Sequence, residues 1–240
     1  MTLSLDRRPR GCRPTDLRRL AVQAADYLAD ASAEEVIGWG AATFGDRFAI
    51  ASSMQDGVLP HLTSQVAPGT DVLFLDTGYH FAETLGTRDA MAATSPLQII
   101  SLTPRQSVAE QDAEYGPRLY ERNPDLCCAL RKTAPLNEAL TGYDAWATGV
   151  RRADSPARAA TQVVSYDEKH DAVKIAPLAA WSDDEVDAYI ERNNVFVNPL
   201  LQQGFPSIGC SPCTRAVVEG EDPRAGRWAG LSKTECGIHT

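Results

Sequence analysis

The chain of 240 residues contains no run of about 18 apolar residues of the kind a membrane-spanning helix needs. It shows no internal repeat, no low-complexity tract and no clear linker. One large α/β domain, or two small ones, with a substantial core is the expectation for this length. Positive charge is also short. The 23 Lys and Arg face 32 Asp and Glu, a formal net charge of -9. That balance argues against general nucleic-acid binding, which relies on Lys and Arg displacing counterions from phosphates. An anionic ligand must therefore meet a local cluster of cations. Three candidates are Arg131-Lys132, Arg151-Arg152 with Arg158, and the group Arg215, Arg224, Arg227 and Lys233. A single pair reads most simply as a solvated helix face, but these clusters lie near cysteines in sequence. No apolar run follows Arg7, Arg8, Arg10 and Arg13, so no secretory leader is expected. The expected compartment is cytoplasmic and reducing, where structural disulfides are rare. Residues 1–14 are read as a flexible arm, with Cys12 an uninvolved thiol.

Cysteine is scarce, six in all, and five fall in three groups: Cys127-Cys128, Cys210 with Cys213, and Cys236 four residues from the end. Thiolates bind soft centres such as zinc or iron-sulfur clusters, and two separated pairs meet at one centre only if the fold joins them. Structural zinc sites usually pair cysteines two to four apart, and the adjacent Cys127-Cys128 pair departs from that. A cluster fits better, with zinc still open. Cys236 stands apart as a candidate nucleophile.

Apolar periodicity places helices over 15–29 and beyond the Ser32/Glu35 capping box. Short apolar runs at 47–53, 71–75, 97–102 and 145–150 read as strands. Helical patterns at 58–66, 81–93 and 129–140 lie between them, and this alternation predicts a doubly wound, mostly parallel sheet. Segments 162–166 and 172–175 read as an edge hairpin, and the Ser182/Glu185 capping box opens a helix running to about Asn193. One domain over 15–227 with a C-terminal tail over 228–240 is the simplest division.

In such a sheet, ligands collect outside the carboxyl ends of the strands, where free backbone amides and helix N-termini favour anions. Three loops qualify: Ser52-Ser53-Met54-Gln55-Asp56-Gly57, Asp76-Thr77-Gly78, and Thr148-Gly149-Val150-Arg151-Arg152 with Arg158 beyond. Each alone is a common turn composition. The first lies where a pyrophosphate-binding Ser-Gly-Gly-x-Asp-Ser loop would sit in an ATP-cleaving enzyme, yet the Gly-Gly pair is missing. A backbone without those glycines wraps a pyrophosphate less closely, which points to a nucleotide other than ATP.

With these residues in view, the chain resembles the assimilatory sulfonucleotide reductases, specifically their iron-sulfur adenylylsulfate (APS) branch. The resemblance runs from about Phe48 to Thr240 and rests on Cys127-Cys128-Ala129-Leu130-Arg131-Lys132, on the stretch Gly204 to Cys213, and on Glu235-Cys236-Gly237-Ile238-His239. It implies a Rossmann-like, adenine nucleotide alpha hydrolase-like fold with a mobile tail, and a 4Fe-4S cluster on Cys127, Cys128, Cys210 and Cys213. It further implies attack by Cys236 on the sulfur of APS, loss of AMP, and release of sulfite by thioredoxin. Ser52, Ser53, Asp56, Asp76, Thr77 and Gly78 would surround the nucleoside, and Arg151, Arg152, Arg158, Arg224 and Arg227 the anionic groups. Lys132, four residues after Cys128, would connect cluster and substrate along one helix. His239 is either an acid-base group or a tail residue. Relatives acting on the 3'-phosphorylated nucleotide typically lack the paired cluster cysteines. A reductase for that nucleotide, an ATP-dependent sulfur-transfer enzyme and an iron-sulfur sensor remain rivals, and homo-oligomerisation stays open.

Overall fold

The structure, a computed structural model, describes residues 14–230, 233, 237 and 238. A six-stranded sheet has the order β3-β2-β1-β4-β6-β5. Its strands are β1 (Phe48–Ala51), β2 (Asp71–Leu75), β3 (Gln98–Leu102), β4 (Ala145–Thr148), β5 (Val164–Asp167) and β6 (Ala172–Ile175). All neighbouring pairs are parallel except β5 with β6. The expected hairpin is present, but only β5 is the edge, because β6 pairs with β4 through Ala145↔Val173. The chain leaves β1 toward β2 and β3, then returns to the other flank at β4. Loops after β1 and β4 thus diverge and leave a crevice at their carboxyl ends, with Ala51 paired to Thr148 at its floor.

The two faces of the sheet alternate as the pleat requires. Phe48, Ile50, Val72, Phe74, Ala145 and Ala147 enter one core, shared with α1 (Pro14–Tyr27), α2 (Ala33–Phe44) and α3 (Val58–Val66). Ala49, Leu73 and Trp146 enter the other, against Leu136 and Leu140 of α8 (Ala134–Leu140). Every residue of β4 is buried, as expected for a central strand covered on both faces. At the amino ends, Arg47 and Asp144 form a buried two-pronged ion pair, with Nη2 donating to Oδ1 at 2.7 Å. It joins the entries of β1 and β4, and α4 (Ala82–Thr94) and α9 (Asp183–Asn193) complete the packed helices near the crevice.

Capping boxes start α2 at Ser32, α9 at Ser182 and also α5 (Val108–Tyr115) at Ser107. Helix α5 was not expected, since only Gln111 of it is buried and it carries no apolar stripe. The helix expected over 129–140 begins earlier and is not regular. After the single turn α6 (Leu119–Arg122), Asn123 caps α7 (Pro124–Cys128), accepting from Leu126 N–H at 3.0 Å. A π-helical turn over Ala129–Thr133 then joins α7 to α8. The wider turn changes which side chains share a face, and such bulges concentrate at functional sites.

Candidate active site: an open cleft that meets a cysteine pocket

The four paired cysteines come together. Cys127 and Cys128 project from the end of α7, and Cys210 and Cys213 bracket the short 3-10 turn Ser211–Cys213. All four line one small pocket with Tyr79, Tyr120, Arg131, Lys132 and Trp228. The second pair is held by Ser211 N–H donating to the Tyr79 carbonyl at 2.7 Å and Cys213 N–H to the Cys210 carbonyl at 2.9 Å. Thr77 Oγ1 sits 3.3 Å from Cys210 Sγ. Burial, and then the neighbouring sulfurs, push the Cys127 thiol up to about 12. Cys213 is pushed up to about 11 by burial and Cys210, against the opposing charge of Lys132 and Arg227. Two thiols shifted upward by burial and by neighbouring sulfurs, set among four cysteines, fit a cationic soft centre that takes the place of the protons. Among the described residues no three His, Cys, Asp or Glu side chains are gathered closely enough for a single metal ion.

The adjoining cleft opens at the carboxyl ends of β1, β2 and β4 and is lined by Ser52, Ser53, Asp56, Thr77, Lys132, Arg151, Arg158, Arg224 and Arg227. The loop after β1 turns through Met54 at φ +57°, a left-handed residue buried beneath it. Asn198, fully buried, fixes that turn: its amide donates to the Met54 carbonyl at 3.3 Å, and its N–H donates to the Gln55 carbonyl at 3.0 Å. Gln55 Oε1 in turn accepts from Ile208 N–H at 2.9 Å, so the loop and the segment leading to Cys210 are one unit. Burial pushes the Asp56 carboxyl up, partly opposed by the Val58 amide and Arg151. His80 also lines the cleft. Its Nε2 lies 2.7 Å from the Leu75 carbonyl, which can only accept, so that nitrogen carries the proton. Burial pushes its pKa down, leaving the imidazole neutral.

The cations differ in how they are held. Arg151 is paired with Asp154 at 3.1 Å and Asp183 at 2.7 Å, and Arg158 reaches the same Asp154 at 3.0 Å. Arg227 donates to Ser207 Oγ and the Ile208 carbonyl, each at 3.2 Å, and lies over the Trp228 ring. It packs so tightly on Gly209 that a Cβ there would fall 2.4 Å from the guanidinium. Lys132, 9 % exposed, lines both the cleft and the cysteine pocket. Its neighbour Arg131 turns the other way, donating to the Thr77 carbonyl and to Gln111 Oε1 at 3.0 Å.

Three expected substrate residues lie elsewhere. Arg152 is exposed and donates to the Thr161 carbonyl at 2.9 Å. Asp76 accepts from Gly78 N–H at 3.3 Å and pairs with Arg88 at 3.3 Å, and neither Asp76 nor Gly78 reaches the cleft wall. The roles expected of Cys236 and His239, and of Cys12 in the arm, fall outside the described residues. Gln55 stood in the first candidate loop without a role of its own, and sequence reading missed Asn198, His80 and the acidic partners Asp154 and Asp183. Of these, only the Asp154 and Asp183 charges could have been flagged, as sequence neighbours of the arginine cluster and of a helix start.

A Rossmann-like sheet, a cleft at its switch point lined by several cations and a four-cysteine pocket on the cleft wall place grouped thiols beside the position where doubly wound sheets bind nucleotides. The family described as the phosphoadenosine phosphosulfate reductase domain matches residues 47–216. The chain is 60% identical over 224 residues to the adenosine 5'-phosphosulfate reductase of Streptomyces coelicolor, covering 93% of this chain and 95% of that one. It is 54% identical to the enzyme of the same name from Mycolicibacterium smegmatis, with the same coverage. Among solved structures, a phosphoadenylyl-sulfate (PAPS) reductase from Candida auris in a phosphate complex superposes with a TM-score of 0.69 at 30% identity, covering 81% of this chain and 96% of that one. A Candida glabrata FMN adenylyltransferase, at 12% identity and TM-score 0.52, shares the fold alone. This chain belongs to the phosphoadenosine phosphosulfate reductase family and is an oxidoreductase acting on a sulfonucleotide.

Proposed function

We propose that the protein reduces adenosine 5'-phosphosulfate to sulfite and AMP in sulfate assimilation, with a 4Fe-4S cluster on Cys127, Cys128, Cys210 and Cys213. The observation that carries this reading is the position of Lys132, buried where the cysteine pocket opens into the cleft. Relatives named for the APS reaction support the choice of substrate. When bound, the cluster would be held by the four thiolates, and its core would offset part of their negative charge.

The residues of the chain divide the remaining work. The loop after β1, with Ser52, Ser53 and Asp56, receives the nucleoside together with Thr77. Arg158, Arg224 and Arg227 meet the phosphosulfate, and Lys132 faces the sulfate end. The Cys236 thiolate attacks the sulfur, the bond from sulfur to the bridging oxygen breaks, and AMP leaves with that electron pair, stabilised by the surrounding cations. Thioredoxin then attacks the Cys236 sulfur and sulfite departs. A second thiol of the reductant closes its disulfide, returning Cys236 as a thiol and accounting for the two electrons. The reaction belongs in the cytoplasm, where the five grouped cysteines stay reduced. Among the described residues no helix is long and apolar enough to cross a membrane. The arm at 1–14 and the tail at 228–240 flank a single catalytic domain.

Competition kinetics with APS and its 3'-phosphorylated analogue test the substrate. Preferential turnover of APS is expected. Preference for the 3'-phosphorylated nucleotide would transfer the assignment to the reaction named for the Candida auris neighbour.

A further inference from the structure

The chain that follows the cleft returns to the cysteine pocket and is fastened there twice. Trp228 is 2 % exposed and adopts φ +48°, a left-handed backbone that a bulky side chain keeps only under constraint from its surroundings. The constraint is visible: Trp228 N–H donates to the Cys213 carbonyl at 2.9 Å, and the indole lines the cysteine pocket. The ring carries two cations, Arg227 at 4.6 Å and Lys233 at 5.5 Å from its centroid. Lys233 then reaches across to α7, donating to the carboxylate of Asp125, two residues before Cys127. Its side chain is 10 % exposed although Asp125 is 80 % exposed. An ion pair between two exposed side chains contributes little. Here the lysine stem is covered and its ammonium lies on an aromatic face, so its geometry is held before the ion pair forms.

The segment is therefore tied to both cysteine pairs, to Cys210–Cys213 through Trp228 and to the Cys127–Cys128 helix through Lys233. Lys233 precedes Cys236 by three residues. Its ammonium is paired with Asp125. We infer that Lys233 is a positioning residue for Cys236: by docking on Asp125 and Trp228 it fixes the chain against the cysteine pocket three residues before Cys236. The inference rests on Cys236 being the nucleophile. Small displacements of a reacting group carry large rate penalties, on the order of a hundredfold for about 1 Å, so a docking residue remote from the chemistry still affects the rate.

The test uses the full chain purified anaerobically, in wild type, Lys233→Met, Asp125→Lys, and the exchanged pair Lys233→Glu with Asp125→Lys. Methionine keeps the stem over Trp228 and removes the charge. Four quantities are read: iron and sulfide content, AMP affinity, the single-turnover rate of adduct formation from APS without reductant, and the rate of Cys236 alkylation by iodoacetamide. Lys233→Met and Asp125→Lys are expected to slow adduct formation by roughly tenfold or more and to change the alkylation rate, with iron content and AMP affinity unchanged. The exchanged pair should recover most of the loss. Wild-type adduct and alkylation rates in Lys233→Met, or an exchanged pair that recovers nothing, would overturn the inference, as would loss of iron or of AMP affinity in Lys233→Met. Should wild type form no adduct on Cys236, the nucleophile assignment fails, while the alkylation rates still decide whether Lys233 positions the segment.

Discussion

The cysteine pocket and the open cleft share Lys132 and are otherwise built from opposite materials. In the pocket, aromatic rings and largely buried thiols surround a small space, and burial with the neighbouring sulfurs makes Cys127 and Cys213 harder to ionise. In the cleft, cations are matched by carboxylates: Arg151 and Arg158 divide Asp154 between them, and Asp183 takes the remaining charge of Arg151. The pocket would gain charge from a bound centre, whereas in the cleft Arg151 and Arg158 already hold carboxylates that an anionic ligand would have to rearrange. Lys132 is buried in the wall common to both.

The contrast can be broken most completely at the pocket. Replacing any one of Cys127, Cys128, Cys210 or Cys213 by Ser should remove bound iron and acid-labile sulfide together and reduce APS turnover to background, as metal analysis and sulfite assays would show. Stoichiometric zinc with no iron in anaerobic wild-type protein would instead mark a different centre.

Lys132→Ala should slow the first chemical step by roughly a hundredfold, the range reported for removing one preorganised charge-stabilising group from a water-poor site. Lys132→Arg should be milder. The single-turnover rate is the relevant readout, since a loss confined to KM would make Lys132 a general anion binder.

Two arginines of the segment after β4, Arg158 and Arg152, offer a sharper contrast. Arg158→Ala should raise KM for APS by about tenfold, in line with the loss of one charged contact, whereas Arg152→Ala should change it less than about twofold because that side chain serves the Thr161 carbonyl. Equal effects would erase the distinction drawn between cleft and surface.

The smallest effect is expected at Asp56. Its carboxyl is pushed above the usual range, chiefly by burial, so the folded protein prefers the neutral form. The penalty for ionising it is absent below the unfolded carboxylate pKa and develops as pH rises through the folded one. Asp56→Asn should therefore raise the thermal midpoint slightly at neutral pH, and the difference from wild type should shrink as the pH falls below about 4.

Much of this architecture can be read from the sequence. The bounds of β2, β6 and α3 match the apolar runs that mark them, and Ser182 with Glu185 marks the start of α9. Ser107 and Glu110 form the same kind of signal for α5, but the helix they open is polar, and periodicity is blind to a helix that buries one glutamine. The π turn at Ala129–Thr133 is illegible for another reason: it depends on where Arg131 and Lys132 are drawn, one to Thr77 and Gln111 and the other to the two cavities. Tertiary pins such as Asn198 on the loop after β1 carry no local signature at all. Arg151 and Arg152 are identical in type and adjacent, and only the fold sends one to Asp154 and the other to Thr161.

The most direct measurement is intact-mass and peptide analysis of anaerobic protein incubated with APS and no reductant. The account predicts one SO3 group on the peptide containing Cys236, one equivalent of AMP released, and return to the original mass with sulfite on adding reduced thioredoxin. An adduct on another cysteine, or sulfite released at the wild-type rate by Cys236→Ser, would contradict it.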